Sequence, residues 1–382
     1  MVLTAWTSAT SSCQYASERG MHLTWLELSD FRAYDALVFE PEPGMNILVG
    51  ANGAGKTSVL EAIGYLGMMK SFRSVPDAAL VRDGTQAAVI RAGVAGGATE
   101  LTVEIELPHE GRRTVLANAK RPKRLRDMLL SVPVVAFLPD DLDVIKRSAA
   151  QRRDYLDDLA SRLWPQAGAD LSDYEKTLRQ RNALLKHGGR SVDVYTLDAL
   201  DTRLAQAGAR VLNHRRTVAT ELQEPLMHSY NVVGGSGVLR WAYRSTWGSE
   251  NAAGIESLAS SLRTALEERR TKDLEVRTTT VGPHRDEPEL LLDGRSTRLR
   301  ASQGEQRTVA LALRIGAYRL IEEIRDQTPI LLLDDVFSEL DVDRAHRVLS
   351  LMPDGQVFVT TAREDEVPAT GRRWSVRDGK IV

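Results

Sequence analysis

Hydrophobic and polar residues alternate along several short stretches of the first 110 residues. Residues 101–107 read LTVEIEL, in which every second residue is apolar. This period of two predicts an antiparallel strand with one buried and one solvated face. Apolar stretches at 26–28, 37–39 and 46–49 predict further strands, of which the last is the most buried. The beginning of the chain is therefore predicted to contain an antiparallel meander.

A helical pattern replaces the alternation between about residues 146 and 231. Positions 197, 200, 204, 207, 211, 214 and 218 are separated alternately by three and four residues, which is the spacing of a helix packed along a seam. A similar seam lies upstream at Tyr174, Leu178, Arg181 and Leu185. We predict an antiparallel helical hairpin interrupted at Gly188-Gly189, whose second helix spans 193–229 and reaches about 55 Å. His214 is interpreted as a packed histidine rather than a metal ligand.

Strand-like stretches return after the helical block, at 238–243, 274–281, 330–333 and 357–359. The fold class is thus predicted as α/β, with a helical arm inserted into a domain that contains a mixed sheet. We expect four segments: a disordered extension (1–20), the first part of a sheet domain (21–145), an inserted helical arm (146–275) and the second part of the sheet domain (276–382).

Composition restricts the classes of protein further. The chain has 382 residues and a formal net charge of −2, which excludes wholesale polycation binding to nucleic acid. No apolar run approaches the ~18 residues of a membrane span. The single cysteine, Cys13, excludes an internal disulfide framework and a cysteine zinc cluster, and we do not expect it to have a redox role. The first twenty residues lack the basic start and apolar core of a secretory signal, so Met21 is an alternative start and a cytoplasmic location is expected.

A phosphate-binding loop is the strongest local motif. Residues 50–57 match G-x-x-x-x-G-K-[ST] at every fixed position, after an apolar strand and before a helix-like run at 58–69. Glycines let backbone N–H groups surround a phosphate, the lysine reaches the β- and γ-phosphates, and the hydroxyl coordinates Mg²⁺. The predicted nucleotide ligands are Gly50, Ala51, Asn52, Gly53, Ala54, Gly55, Lys56 and Thr57.

Two neighbouring carboxylates follow the buried-strand run at 330–333. Asp334 ends this strand and is the predicted second ligand of Mg²⁺, together with Thr57. Asp335 is placed to orient or activate the attacking water and, with Lys56, is a predicted catalytic residue. The motif alone is common, and its value depends on what flanks it.

A short polar motif, Ser302-Gln303-Gly304-Glu305-Gln306, precedes a predicted apolar-periodic helix. It has two interpretations: the serine caps the helix, or the Ser/Gly pair binds a phosphate at the helix start. In a chain that already has a phosphate loop, we assign Ser302, Gly304 and Gln306 to nucleotide binding.

A basic run lies between residues 112 and 126 and contains no acidic residue. Such a run either contacts nucleic-acid phosphates or forms an ordinary solvated face. Little aromatic interleaving argues against a platform on which single-stranded bases stack. The candidate DNA contacts are Arg112, Arg113, Lys120, Arg121, Lys123, Arg124 and Arg126.

The order of these motifs resembles that of ABC-type ATPase heads, and within them the RecF family of bacterial recombination-repair proteins. The resemblance runs from about residue 23 to near the C-terminus. It is carried by residues 30–34 (DFRAY), 71–73 (SFR), 139–142 (PDDL), 152–157 (RRDYLD), 281–286 (VGPHRD) and 333–341 (LDDVFSELD). The chain departs from the family pattern at Arg147 and Ala149. It also has Thr360-Thr361 where transporter-type heads carry a histidine.

The resemblance implies an ATP-induced, head-to-tail homodimer in which the signature Ser302 and Gly304 of one chain contact the nucleotide of the other. Lys56, Thr57, Asp334 and Asp335 would act within their own chain, with ATP and Mg²⁺ as cofactors. An aspartate where the superfamily usually has glutamate suggests slow hydrolysis. The resemblance further implies binding to gapped or junction DNA, cooperation with RecR and RecO, loading of RecA, and a place in recombination, replication and the SOS response.

The sequence argues against three other classes of protein with such motifs and leaves two alternatives open. A transporter ATPase has far fewer residues between its phosphate loop and acidic strand. A nuclease on such a head needs an additional acidic metal domain, and a long-armed SMC protein needs much longer coiled coils. The remaining alternatives are another ABC-head DNA-repair ATPase and a nucleotide-switched DNA scaffold that does not hydrolyse ATP.

Overall fold

The computed structural model describes residues 20–96, 99–123, 128, 131–138, 142–188, 192–248, 254–352, 354–377 and 379–382. The predicted extension 1–20, with Cys13, lies outside this part except for Gly20. The chain divides into two compact units, of which the first comprises residues 1–141, 232–234 and 318–382 and the second 142–231 and 235–317. The second unit therefore continues beyond residue 275, where the sequence placed a boundary. No helix in the described ranges is long and apolar enough to cross a membrane.

The elements follow one another in this order. The strands are β1 (His22–Phe31), β2 (Tyr34–Phe39), β3 (Met45–Val49), β4 (Ala87–Gly96), β5 (Thr99–Pro108), β6 (Thr114–Ala117), β7 (Val134–Phe137), β8 (Leu239–Arg244), β9 (Glu287–Leu292), β10 (Arg295–Ser296), β11 (Ile330–Asp334), β12 (Val357–Thr361), β13 (Arg372–Arg377) and β14 (Lys380–Ile381). The helices are α1 (Lys56–Met68), α2 (Asp143–Lys146), α3 (Ala149–Leu163), α4 (Pro165–Gly188), α5 (Val194–Glu221), α6 (Gln223–Val232), α7 (Ile255–Val276), α8 (Thr297–Arg300), α9 (Gln303–Arg325) and α10 (Val342–Ser350).

An antiparallel sheet in the first unit has the strand order β2-β1-β4-β5-β6. On β5, Val103, Ile105 and Leu107 are fully buried. Glu104 lies on the opposite face, where the guanidinium of Arg91 on β4 donates to it over 2.9 Å. The alternation of residues 101–107 thus separates a core face from a solvated face, and the predicted meander is confirmed.

The second sheet of the first unit has the order β14-β13-β3-β12-β11-β7. Strands β13, β3, β12, β11 and β7 run parallel. Because β12 pairs with both β3 and β11, Thr361 lies beside Val49, and Thr360 lies beside Asp334. The carboxyl ends of three strands therefore meet at one edge, where α/β sheets usually bind ligands.

The second unit is built mainly from helices and contains the antiparallel sheet β10-β9-β8. The predicted seam is confirmed on α5, where Leu197, Leu204, Ala207, Val211 and Val218 are buried. His214 on this seam is hydrogen-bonded through Nε2 to Asp170 over 2.9 Å, as expected for a packed histidine. The helix predicted over 193–229 is interrupted after Glu221. Pro225 explains this, because proline has no N–H to continue the helix hydrogen bonds.

The prediction of a strand at 274–281 is wrong. Residues up to Val276 belong to α7, and Arg277 ends this helix in the left-handed conformation (φ 57°), with its N–H donating to the Asp273 carbonyl. The three alternating residues Leu274, Glu275 and Val276 resemble a strand, but they are the last turn of a long amphipathic helix.

A buried polar cluster involves two segments that carry the family resemblance, residues 152–157 and 281–286, both in the second unit. Asp157, from the first block, forms a bidentate ion pair with Arg215, with both distances 2.7 Å. Asp286, from the second block, accepts hydrogen bonds from Trp247 Nε1 at 3.0 Å and from the Tyr243 hydroxyl at 3.1 Å. Burial raises the pKa of Asp286 to about 6.

Candidate functional site

The loop of residues 50–55 connects β3 to α1 and is shaped by close contacts that only glycine permits. A Cβ at Gly50 would lie 2.3 Å from the carbonyl oxygen of Val376 on β13. A Cβ at Gly55 would lie 2.7 Å from the hydroxyl of Tyr34, and Gly55 has a φ of 106°. The Tyr34 hydroxyl donates to the Gly55 carbonyl over 3.2 Å. The loop is therefore held on both sides by its own chain.

Lys56 begins α1, and only 8% of its surface is exposed. Its Nζ donates to the carbonyl oxygens of Gly50 at 2.6 Å and Ala51 at 3.0 Å. Burial lowers the pKa of the ammonium, while the carboxylates of Asp335, Asp334 and Glu366 oppose this effect. The ammonium is thus placed inside the loop, where phosphates bind in such motifs.

Asp334 and Thr57 lie in direct contact at the carboxyl edge of the parallel sheet. The Thr57 hydroxyl donates to Asp334 Oδ1 over 2.9 Å, and the Thr360 hydroxyl donates to the same oxygen over 2.7 Å. Burial raises the pKa of Asp334, and its bonds to Thr360 and Thr57 act in the opposite direction. The two residues predicted to hold Mg²⁺ are therefore brought together by the fold.

The donor set of Thr57 and Asp334 fits Mg²⁺, which prefers hard oxygen ligands and usually shares them with phosphates. Burial raises the pKa of this carboxylate, and a divalent cation bound there would act in the opposite direction. In the described residues, no group of three or more His, Cys, Asp or Glu side chains could hold a metal ion. A Mg²⁺ ion at Thr57 and Asp334 would take its further ligands from nucleotide phosphates and from water.

Asp335 is the first residue after β11 and has an exposed side chain in the left-handed backbone conformation, with φ 53°. Its N–H donates to the Thr360 hydroxyl over 3.0 Å. Thr360 therefore bonds both predicted acidic residues, one through the carboxylate and one through the backbone. In the sequence, Thr360 stands out only as part of a departure from transporter-type heads, and these two hydrogen bonds were not predicted.

A buried carboxylate behind the loop was also missed. Glu61 on α1 is fully buried and accepts two hydrogen bonds from Arg32, at 2.9 and 3.0 Å, and a short one from the Ser71 hydroxyl. Arg32 and Ser71 belong to the segments 30–34 and 71–73, which carry the family resemblance and lie before and after the phosphate loop in sequence. A lone acidic residue in an apolar helix is the sequence signal that could have identified this connection.

Ser302 and Glu305 form a reciprocal helix cap at the start of α9. The Ser302 N–H donates to Glu305 Oε2 over 2.7 Å, and the Glu305 N–H donates to Ser302 Oγ over 3.3 Å. This is a capping box, so the simple interpretation of Ser302 is correct as far as it goes. Ser302 and Gly304 are exposed, and nothing lies within 4 Å of a Cβ added at Gly304. Gln306 is buried instead and donates to the Thr297 carbonyl over 3.3 Å.

The basic residues at 112–126 have different surroundings in the structure. Arg113 points inward, because its Nη1 donates to the Tyr65 hydroxyl and the Met69 carbonyl, both at 2.7 Å, and lies 3.2 Å from Asp77. Four cations are exposed: Arg112, Lys120, Arg121 and Lys123. The predicted contacts Arg124 and Arg126 lie outside the described residues.

An open cleft of about 1000 Å³ adjoins the phosphate loop. It is lined by the loop and by β13, including Asn52, Gly53, Trp374 and Arg377. The guanidinium of Arg372 lies 4.9 Å from the centre of the Trp374 ring. The volume is sufficient for a nucleoside.

Comparison with known proteins gives a consistent result over nearly the whole chain. Residues 22–378 match the model of the RecF/RecN/SMC N-terminal domain. The DNA replication and repair protein RecF of Acidothermus cellulolyticus is 38% identical over 368 residues, covering 94% of this chain and 99% of the relative. RecF of Streptomyces avermitilis is 40% identical over 372 residues, with the same coverage of 94% and 99%.

Solved structures agree with these relatives. A structure of the recombination mediator protein RecF with ATP, from the RecFOR pathway, has a TM-score of 0.90 at 29% identity and covers 96% of this chain and 98% of its own. The Smc head domain of Pyrococcus furiosus, with a TM-score of 0.54 at 18% identity, shares the fold, covering 95% of this chain and 96% of its own. The fold is therefore the α/β head of ABC-type ATPases with a helical insertion, as the sequence predicted.

Proposed function

The chain belongs to the RecF family of DNA replication and repair proteins, and from this premise we propose that it is an ATP-switched DNA-binding protein of recombinational repair. The observation that carries the proposal is the contact between Thr57 and Asp334, whose side chains come from sequence positions 277 residues apart. This contact joins the phosphate loop to the acidic strand, as ATP hydrolysis requires.

In this proposal, backbone N–H groups of residues 50–57 bind the phosphates of ATP, and the Lys56 ammonium contacts the β- and γ-phosphates. Thr57 and Asp334 hold Mg²⁺, which neutralises charge on the phosphates when bound. Asp335, with its exposed carboxylate beside Asp334, orients the attacking water. The nucleoside occupies the cleft lined by the loop and β13.

We further propose that ATP joins two copies of the chain. Ser302 and Gly304 are exposed at the start of α9, and, apart from the adjoining backbone, no atom of the described residues lies within 4 Å of a Cβ added at Gly304, so packing among these residues gives no reason for a glycine there. A glycine inside a helix costs about 1 kcal/mol relative to alanine, which suggests that another molecule approaches this turn closely. The γ-phosphate bound to a second copy is the proposed neighbour.

Slow hydrolysis then acts as a timer. The nucleotide favours the dimer only while the γ-phosphate connects the two chains, because a ligand shifts an equilibrium by its differential affinity for the two states. The clamped DNA is proposed to be gapped or to contain a single-strand/double-strand junction. Its backbone would contact the exposed cations Arg112, Lys120, Arg121 and Lys123.

The proposed partners follow from the family. The similar solved structures are of a recombination mediator of the RecFOR pathway. We therefore propose RecR and RecO as protein partners, the loading of RecA as the outcome, and the bacterial cytoplasm as the location. The timer function also predicts that two copies dissociate once ATP is hydrolysed.

DNA-stimulated phosphate release tests the proposal. The purified chain is incubated with Mg²⁺ and ATP, with and without a gapped duplex, and phosphate release is measured together with dimer formation by light scattering. We expect slow release that DNA accelerates, and a dimer that ATP induces and hydrolysis dissolves. ATP-dependent dimerisation and DNA binding without any release would favour the non-hydrolysing scaffold. Failure to bind ATP would contradict both.

A further inference from the structure

The segment that follows β12 folds back on the last residue of that strand. The Thr361 hydroxyl is hydrogen-bonded to the carboxylate of Glu366 and also lies 3.0 Å from the Arg363 carbonyl oxygen. The Arg363 N–H donates to the Thr361 hydroxyl over 3.3 Å, and Arg363 Nε donates to Glu366 Oε1 over 2.9 Å. Residues 361–366 thus form a closed polar loop.

Thr361 lies next to the phosphate loop. It pairs with Val49 at the end of β3, and its carbonyl oxygen accepts a hydrogen bond from the Gly50 N–H over 3.3 Å. A hydroxyl carries a single hydrogen, and phosphate oxygens at neutral pH are mainly acceptors. While the hydroxyl donates to Glu366, Thr361 therefore has no hydrogen to offer a phosphate.

The charge of Glu366 acts on the same site. Its hydrogen bond from Thr361 and the guanidinium of Arg363 lower the pKa of Glu366, so the carboxylate is ionised at neutral pH. The Lys56 ammonium donates to the Gly50 carbonyl over 2.6 Å, and the Gly50 N–H donates to the Thr361 carbonyl over 3.3 Å, so Thr361 and the carboxylate bonded to it lie close to this ammonium. A divalent cation would neutralise the aspartates. Within the part of the chain that the structure describes, the cation paired with Glu366 is Arg363, which is 71% exposed and therefore compensates weakly.

We propose that Glu366 is a latch on the nucleotide site, which withholds the Thr361 hydroxyl and sets a negative charge against the terminal phosphate of ATP. Binding of a nucleoside triphosphate displaces the carboxylate from Thr361, whereas a diphosphate leaves the latch closed. The latch therefore lowers the affinity for ATP more than the affinity for ADP. This inference rests on the proposed ATP site and adds a positioning residue to it.

Glu366→Gln tests the charge, because the glutamine oxygen can still accept from Thr361. We expect ATP affinity, measured by competition with a fluorescent nucleotide in Mg²⁺, to rise about threefold to tenfold, with a smaller rise for ADP. The matched control is Asp343→Asn, which removes an equal charge from an exposed side chain on α10, outside the loop of residues 361–366, and should leave both affinities unchanged. Unchanged or weaker ATP binding by Glu366→Gln would overturn the proposal.

Glu366→Ala tests the release of the hydroxyl. It should raise ATP affinity above that of Glu366→Gln, and the additional gain should disappear when Thr361→Val is combined with it. An additional gain that persists without the hydroxyl would contradict the role given to Thr361. Equal increases for ATP and ADP would reduce Glu366 to a general electrostatic effect and overturn the latch. If the parent chain itself binds no ATP, the proposed function fails, which is a different result from these.

Discussion

The Thr360 hydroxyl lies 2.7 Å from Asp334 Oδ1 and donates its hydrogen to that carboxylate. The same oxygen of Thr360 accepts the N–H of Asp335 over 3.0 Å. A side chain on the middle strand of three therefore fixes both acidic residues. The hydrogen bond from Thr360 opposes the rise in the pKa of Asp334 that burial causes, and the bond to the backbone accompanies the left-handed conformation of Asp335.

Thr360→Val removes this hydroxyl at nearly constant volume. The carboxylate of Asp334 loses a donor, and a hydrogen bond to a charged group is strong enough to change an equilibrium by about tenfold. We expect the variant to need about tenfold more Mg²⁺ for half-maximal ATP binding, measured by titration of Mg²⁺ against a fluorescent nucleotide. Ser338→Ala is the control, because its hydroxyl donates to the backbone carbonyl of Asp335, over 2.8 Å, rather than to a carboxylate. An unchanged Mg²⁺ requirement would show that Thr360 does not support the metal site.

Asp335→Asn should separate binding from hydrolysis. Asp334 and Thr57 are untouched, so Mg²⁺ and ATP still bind, while the exposed carboxylate that would orient water is lost. We expect normal ATP affinity, a strong reduction in phosphate release, and a longer-lived dimer in ATP. Dimer lifetime is measured by light scattering after dilution. Asp343→Asn, an exposed aspartate on α10, is the matched control. A dimer lifetime equal to that of the parent would remove Asp335 from the catalytic role.

Ser302→Arg distinguishes a helix cap from a dimer contact. Loss of the cap costs about 1 kcal/mol of stability, and this alone leaves ATP binding intact. If Ser302 faces the γ-phosphate of a second copy, the bulky side chain prevents closure. We therefore expect near-normal ATP affinity without ATP-dependent dimerisation. Ser148→Arg is the control, since Ser148 is an exposed serine at the start of α3 in the same unit.

Mixing the Ser302→Arg and Lys56→Ala chains extends this test. Lys56→Ala alone should abolish ATP binding, because a charge-assisted contact to the phosphates is lost. A mixed dimer contains one site with an intact lysine and an intact serine. Hydrolysis recovered only in the mixture would support action between chains. Normal ATP-dependent dimerisation of folded Ser302→Arg would contradict the head-to-tail clamp.

Asp286 and His284 should have opposite effects on the pH dependence of stability. Burial raises the pKa of Asp286 from 3.8 to about 6, so the folded state takes up its proton first and gains stability as the pH falls through this range. Burial lowers the pKa of His284 from 6.5 to about 4, so the unfolded state takes up its proton first and stability is lost over the same range. The two contributions partly cancel in the parent chain.

Asp286→Asn removes one side of this balance. Its stability should therefore fall more steeply than that of the parent between about pH 6 and pH 4, as measured by urea unfolding midpoints. Asparagine can still accept from Tyr243 or Trp247, which favours a folded variant. His284→Gln is the matched variant and should change the slope in the opposite direction. Parallel curves for all three chains would refute the opposing titrations.

The phosphate loop could be predicted from sequence because its residues are contiguous and its glycines are required by the local backbone conformation and close contacts. The partner of Thr57 could also be proposed, since the run Ile330–Asp334 indicates a buried strand that ends in a carboxylate. The role of Thr360 could not be predicted, because it depends on β12 lying between β3 and β11. The pattern of hydrophobic residues does not determine the order of strands in a sheet.

Other differences between the sequence-based expectations and the structure have similar causes. Arg113 belongs by sequence to a basic run, but its guanidinium lies 3.2 Å from Asp77 and over the Tyr65 ring, contacts that its neighbours in sequence do not indicate. The strand expected at 274–281 rested on three alternating residues, too few to distinguish a strand from the end of a helix. The boundary placed at 275 assumed that the helical block ends where strands resume, whereas β9 and β10 belong to the second unit.

Strand β3 is enclosed by β12 on one side and β13 on the other, so its neighbours are made long after it. During synthesis from the N-terminus, the loop at residues 50–57 leaves the ribosome without Asp334, Thr360 or the Val376 carbonyl that abuts Gly50. A growing chain thus carries the phosphate motif but not the site. Under the proposed function, competence to bind Mg²⁺ and ATP arises only when nearly the whole chain has been made, so an incomplete chain would lack the site that joins two copies.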